Sequence, residues 1–428
     1  MTQFSALGLN DHLLKTLQAQ DFTTPTPIQT EAIPHVMGGR DLMGLAQTGT
    51  GKTAAFGLPL IHRLMAIGKA PAPATARALI LAPTRELVAQ IADTLAGFTR
   101  HTHIKVVTVV GGASLNKQAE RLARGADILV ATPGRLIDLL DRQAVTLAQT
   151  TYLVLDEADH MLDMGFIHAL KKIARHLTAK RQTLLFSATM PKQIEELAGT
   201  YLTNPVRVQV APPGKVADKV TQAVHYTSQG DKASLLRDYL GQHPDEMALV
   251  FGRTKHGAEK LMKLLVSWGF AAGSIHGNKS QGHRERTLAA FRAGELKVLV
   301  ATDVAARGID IPGVRHVYNY DLPNVPENYV HRIGRTARAG ADGRAVSFCA
   351  PAEMDELRAI EKQLKQPIEV IGGTPHMGEA PAPRQPQRGR GGPKPAQKAF
   401  GAPKPGAKPA QRGGRPGQGR PQRQARSA

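Results

Sequence analysis

The sequence predicts an α/β protein of two tandem domains, each a parallel sheet flanked by helices, followed by a disordered basic tail. Three observations carry this. Short apolar runs alternate with helical stretches along most of the 428 residues, a pattern that calls for parallel strands covered on both faces. The alternation pauses at VQVAPPGKVAD, residues 208–218, where Pro-Pro-Gly marks a connector, and then restarts. A third composition takes over near Gly372.

The first domain is set at residues 1–207. Its apolar lead-in, Leu42 to Leu45, runs into AQTGTGKT (Ala46–Thr53) and a helical pattern from Ala54 to Leu64. Leu79–Leu81 reads as a buried strand and Glu86–Phe98 as the helix after it. Lys105–Val110, Ile128–Val130, Tyr152–Leu155 and Thr183–Phe186 read as further strands. A linker at 208–220 leads to the second domain, 221–371. There Met247–Phe251, Ala271–Ile275, Val298–Ala301, His316–Tyr320 and Ala345–Cys349 form a second strand set. The tail, 372–428, holds twelve lysines and arginines from Gly373 onward against one acidic residue, Glu379. Such a segment cannot bury enough apolar surface to offset its ordering entropy. Its Arg388-Gly389-Arg390-Gly391-Gly392 and Arg412-Gly413-Gly414-Arg415 strings resemble nucleic-acid-binding RGG segments.

The net charge of +20 calls for a polyanionic partner, with nucleic acid favoured over a membrane surface because no basic amphipathic helix stands out. The single Cys349 excludes an intramolecular disulfide and fits a reducing compartment. No apolar run of membrane-spanning length and no leader pattern occurs, so the expected location is the cytoplasm. The sixteen histidines lack metal-ligand spacing.

The chemistry is concentrated in three strings. In AQTGTGKT a glycine-rich turn between strand and helix can aim backbone N–H groups at a phosphate chain, with the helix N-terminus adding positive charge. Lys52 would reach the outer phosphates and Thr53 would hold Mg²⁺. In YLVLDEAD, Tyr152–Asp159, an apolar strand delivers acids to the carboxyl edge of the sheet, where ligands bind. Asp156 is placed to hold Mg²⁺, partly through water, and Glu157 to orient or deprotonate an attacking water. An acidic cluster can also simply cap a helix, but its pairing with AQTGTGKT favours chemistry. The third string, HRIGRTAR (His331–Arg338), brings two arginines three residues apart into a domain with no GKT or GKS of its own. Arginines supplied across an interface raise phosphoryl-transfer rates by about 10³ to 10⁵.

Together these strings resemble a DEAD-box RNA helicase with two RecA-like domains, over roughly residues 4 to 371. The resemblance implies ATP as cofactor and RNA as partner, held by backbone contacts to single strands and short duplexes. FTTPTPIQ (Phe22–Gln29) resembles the adenine-reading motif. By that likeness Phe4, Phe22, Thr24 and Gln29 would meet the base, and Thr48, Gly49, Thr50, Gly51, Lys52 and Thr53 the phosphates and metal. Asp21 stands where the family usually has Gly, and Ala46 where the phosphate motif usually begins with Gly. From the second domain, Gly308 and Asp310 of ATDVAARGID would meet the nucleotide, and Arg335 and Arg338 the γ-phosphate. Lys52, Asp156, Glu157, Arg335 and Arg338 form the implied catalytic set.

The RNA contacts implied are Pro83, Thr84 and Arg85 of PTREL, Gly112, and Thr132, Pro133, Gly134 and Arg135 of TPGR in the first domain. Arg253, Gly277, Gln281, Arg284 and Thr302 would supply them in the second. Ser187, Thr189, Asp159 and His331 would couple hydrolysis to unwinding. Loops of this kind grip phosphates and do not read bases. The expected function is an RNA-dependent ATPase that locally separates short RNA duplexes without sequence preference. An annealing chaperone or scaffold dominated by the tail, and a DNA translocase, are the alternatives. The beginning and the tail look most like the bacterial RhlE-type branch, which implies ribosome precursors or the RNA-degradation machinery as partners.

Overall fold

In the computed structural model the described residues are 3–47, 49–210, 220–306, 311, 313–337 and 342–375. The first lobe has strands β1 (Leu42–Leu45), β2 (Ala76–Leu81), β3 (Val106–Val109), β4 (Ala126–Ala131), β5 (Tyr152–Leu155), β6 (Gln182–Ser187) and β7 (Val206–Gln209). They pair in parallel in the order β3-β4-β2-β5-β6-β1-β7. The second lobe has β8 (Val220–Tyr226), β9 (Met247–Phe251), β10 (Ala272–Ile275), β11 (Val298–Ala301), β12 (Val314–Asn319), β13 (Gly343–Cys349) and β14 (Glu369–Gly372). Its order is β10-β11-β9-β12-β13-β8-β14. Numbered within each lobe, both sheets read 3-4-2-5-6-1-7, so the expected pair of flanked parallel sheets is present.

The packing explains why these runs are strands. Every residue of β4 and β5 is buried, as befits central strands covered on both faces. Along β2, Ala78 and Ile80 join one apolar cluster while Leu79 and Leu81 join the other, the two-residue alternation of a pleated strand. Cys349 is a buried free thiol on β13; burial pushes it up to about 12. Three strands, two of them at sheet edges, were not anticipated. β7 continues through Gln209, past the boundary expected at 207, and pairs with β1. β8 occupies the end of the expected linker, and β14 retains Gly372. The rest of the linker, 211–219, and the tail from 376 lie outside the described residues. Among the described residues no helix is long and apolar enough to cross a membrane.

Candidate active site between the two lobes

The turn after β1 is shaped from outside by one glutamine. Gln29, on the helix Pro27–Met37, accepts from the Thr26 N–H at 2.9 Å and donates its amide to the Gly51 carbonyl at 3.0 Å. Thr26 donates its hydroxyl to the Thr50 carbonyl at 2.8 Å. Gly51 sits at φ +90°, and a Cβ there would collide with the Gln29 amide, so only glycine fits. Lys52 opens the helix Lys52–Met65; its Nζ donates to the Ala46 carbonyl at 2.9 Å. Asp21 adopts φ +59°, which accounts for the glycine usual at that position, since Asp tolerates the left-handed region.

A cavity of about 440 Å³ opens beside this turn. It gathers Phe22, Gln29, Gly49, Gly51, Lys52, Thr53, Asp156 and Glu157. Phe22 is 37 % exposed and packs edge-on against Phe98, leaving ring surface available to a ligand. Phe4 does not line the cavity; it is buried in the lobe core. Thr24 is exposed and does not line it either. Thr50 closes the turn by donating to the Gln47 carbonyl at 2.8 Å. Arg292, at the end of the second-lobe helix Gln281–Arg292, lines the cavity and was not anticipated. Thr48, Gly308, Asp310 and Arg338 lie outside the described residues.

The carboxyl groups beyond β5 are shifted in opposite directions. Burial raises the Asp156 carboxyl to about 6, with Lys52 opposing and Glu157 adding to the rise. Burial also raises Glu157, but there the opposing groups win. The charge and hydrogen bond of His160, then Lys52 and Arg335, hold its carboxyl well below the usual range. Glu157 has φ +52°, an uncommon conformation for glutamate and a form of strain that concentrates at functional sites. Its Oε2 accepts from His160 Nδ1 at 2.9 Å. Asp159 turns the other way. Its Oδ2 accepts from the Ala188 and Thr189 N–H groups at 3.1 and 2.9 Å and from the Thr189 hydroxyl at 2.9 Å. Ser187 donates to the Thr189 carbonyl at 2.7 Å. The acids and the Ser187–Thr189 segment are thus one hydrogen-bonded unit.

The second lobe meets this unit through the helix Pro326–Ile333 and the residues after it. His331 Nδ1 lies 3.0 Å from His160 Nε2, the rings edge to face. Burial, then the charge of His160, lowers His331 to about 3. Arg335 is buried, donates Nε to the His331 carbonyl at 3.2 Å and is close enough to act on Glu157. Arg332, not anticipated, anchors the helix: it donates to Asp303 Oδ2 at 2.8 Å and to the Asp321 carbonyl at 2.6 Å, over the Phe251 ring.

A second contact zone joins the RNA-side motifs. Thr84 caps the helix Arg85–Phe98 by accepting from the Leu87 N–H at 3.2 Å. Arg85 donates to Gln281 Oε1 at 3.2 Å, and Arg284 pairs with Glu86 at 3.0 Å. Gly112, at φ +76°, lies so near the Arg85 guanidinium that a Cβ would overlap it. Arg135 donates to the Ala113 carbonyl at 2.8 Å from the helix that Thr132 precedes and Pro133 opens. Burial, then Arg284, lowers the proton affinity of Arg85; Glu86 opposes and Arg135 adds to the fall. This cluster of guanidiniums attracts a polyanion.

The remaining second-lobe residues are not in this cluster. Arg253 is engaged inside its own lobe, with Glu353 at 3.1 Å and the Leu322 carbonyl at 3.2 Å. Thr302 caps a turn through its carbonyl to Ala305, and Gly277 has open space around it. His243, Glu246 and His316 come together elsewhere in the second lobe, within 4.8 Å, a grouping their spacing did not suggest.

Residues 26–197 match the DEAD/DEAH box helicase family, and residues 231–340 match the helicase conserved C-terminal domain. The chain is 43 % identical over 371 residues to the ATP-dependent RNA helicase CshA of Listeria monocytogenes, covering 87 % of this chain and 70 % of that protein. It is 42 % identical over 380 residues to the DEAD-box ATP-dependent RNA helicase CshA of Bacillus anthracis, covering 89 % and 71 %. Among solved structures, S. cerevisiae Dbp5 bound to RNA and ADP BeF3 is similar with a TM-score of 0.78 at 33 % identity, covering 87 % of this chain and 96 % of that one. Mss116p bound to ssRNA and AMP-PNP gives 0.80 at 27 % identity, covering 87 % and 80 %.

Proposed function

This chain belongs to the DEAD-box family of ATP-dependent RNA helicases, and from that premise we propose that it is an RNA-dependent ATPase that pries apart short RNA duplexes by closing its two lobes. The observation that carries this reading is the junction at Glu157, whose carboxylate meets His160 at 2.9 Å while His160 meets His331 of the other lobe at 3.0 Å, with Lys52 and Arg335 close enough to act on the same carboxylate. A carboxylate at a junction to which both lobes contribute is placed to take a proton from water when they meet.

Lys52 leaves the Ala46 carbonyl to meet the outer phosphates, and the turn fixed by Gln29 presents its N–H groups. The Thr53 hydroxyl and the buried Asp156 carboxylate form an oxygen donor set that fits a hard divalent cation. Thr53 and Asp156 would hold Mg²⁺, whose charge would offset that developing on the phosphates. Arg335, with Arg338 by family likeness, steadies the charge on the transferring group. Gly308 and Asp310 are assigned to the nucleotide, with Asp310 on the ribose, on the same likeness.

The Arg85, Arg135 and Arg284 cluster takes the RNA backbone, with PTREL, TPGR and Gln281 around it. A bent strand path displaces a few base pairs at about 1.4 kcal/mol per stacking step, enough to release a short duplex. The finer assignments are an RhlE-like branch, a cytoplasmic location, and work on ribosome precursors or in RNA turnover; what supports them is the basic, Arg/Gly-containing composition of the tail, which suits a polyanion such as RNA. The test is ATP turnover with and without single-stranded RNA. Stimulation by RNA is the expected result; turnover indifferent to RNA overturns the reading.

A further inference from the structure

Glu157 is connected to the opposite lobe by two imidazoles in series. Its Oε2 meets His160 Nδ1 at 2.9 Å, and His160 Nε2 meets His331 Nδ1 at 3.0 Å. His160 is the residue directly after the DEAD string; it sits in the first turn of the helix Ala158–Asp163, which Glu157 precedes in a left-handed conformation. Both side chains are buried, with His160 only 1 % exposed. The His160 main chain is fixed as well, since its N–H donates to Asp159 Oδ1 at 3.0 Å. On the far side, His331 is carried by a helix that Arg332 ties to Asp303.

The protons in this chain can be counted. A carboxylate only accepts, so His160 must donate from Nδ1 to Glu157. That leaves His160 Nε2 facing His331 Nδ1, 3.0 Å away, with room for one N–H between the two rings. Burial keeps His331 neutral, so its Nδ1 can complete that bond. Each link therefore sets the next: His331 fixes the ring plane of His160, and His160 fixes the carboxylate. When the lobes separate, His331 leaves with its helix and the outer link is lost.

We propose that His160 is a positioning residue that makes the orientation of the Glu157 carboxylate depend on lobe closure, through His331. The proposal rests on the ATPase reading above and deepens it. It gives a reason why an idle enzyme does not waste nucleotide, because a base that is not held in line with its water loses rate steeply. A substitution at His160 that keeps both lobes folded would uncouple the base from the partner lobe.

The experiment is a double-mutant cycle on the full chain, read as kcat and KM for ATP at saturating RNA. His160→Ala and His331→Ala should each lower kcat by about 10- to 100-fold, with KM for ATP changed by less than about threefold. The double variant should be no slower than the slower single, because one chain is broken once. His331→Asn, whose amide can donate or accept in place of Nδ1, should recover most of the loss. If His160→Ala does not fold, His160→Asn serves: it keeps a donor toward Glu157, loses the outer link, and should be insensitive to a further His331→Ala. Losses that multiply in the double variant, or a His160→Ala enzyme with wild-type kcat, would overturn the proposal and leave the ATPase reading standing. Wild-type protein without RNA-stimulated turnover would overturn both.

Discussion

The first lobe starts the helix after its first strand on Lys52, and the second lobe starts the corresponding helix, Lys232–Gly241, on Lys232. The fifth strand of each sheet leads to an aspartate, Asp156 directly after β5 and Asp321 two residues after β12. The scaffold is repeated, but the two lysines have opposite fates. Lys52 rests on a single backbone carbonyl. Lys232 is fully buried, bonded to Glu353 and to the Tyr320 carbonyl at 2.7 Å, with Asp321 at 3.7 Å. Glu353 also accepts from Arg253 and from the Leu322 and Ala350 N–H groups. The lobe to which guanidiniums are assigned holds its own lysine in a buried ion pair, while the lobe to which the phosphates are assigned leaves its lysine on a backbone carbonyl. Function here resides in loops and charges grafted on a common sheet.

The comparison is broken most sharply at Arg335. Arg335→Ala should lower RNA-stimulated kcat by about 10³-fold or more, with thermal melting unchanged; a variant within tenfold of wild type would remove the second lobe from the chemistry. Glu157→Gln comes next. It should cost about 10²- to 10⁴-fold in turnover yet preserve ATP-dependent RNA binding, measured by fluorescence anisotropy. The lysines give a paired test. Lys232→Ala strands Glu353 and should destabilise the second lobe by about 3–5 kcal/mol in urea unfolding, whereas Lys52→Ala should abolish turnover with a smaller change in stability. Equal destabilisation by both would erase the distinction drawn between them.

The smallest effect is in pH. His331 sits at about 3 when enclosed, below its ordinary value of about 6.5. Between those limits the unfolded or open chain binds the proton and the closed one does not. Stability of the closed arrangement therefore rises with pH across that window and is lost as pH falls through it. From pH 7.5 to 5 the loss from this group should be about 2 kcal/mol, and His331→Asn should flatten the slope.

The central strands were legible because burial on both faces leaves an unbroken apolar run, as in β4 and β5. The edges were not. β7 and β14 are half exposed and mix charged or small residues into four positions, so their period gives no signal above that of a loop. The phosphate turn and its acids were readable because glycine, lysine and aspartate are dictated there by backbone angle and charge. Asp21 shows the same rule from the other side: the unusual residue still satisfies a left-handed turn. His160 was missed although a three-residue spacing to Glu157 marked it, because its outer partner is 171 residues away in the other lobe. Arg332 was hidden inside HRIGRTAR, where nothing in the string tells an internal anchor from an outward-facing guanidinium.

The strand order of both sheets puts β3, β7, β10 and β14 at the outer rims. All four are only four residues long. A rim that short offers a stranger's backbone too few unpaired amides and carbonyls to zip onto, which is one way natural sheets discourage sticking to their neighbours. The margins of both sheets can thus stay bare without seeding aggregates.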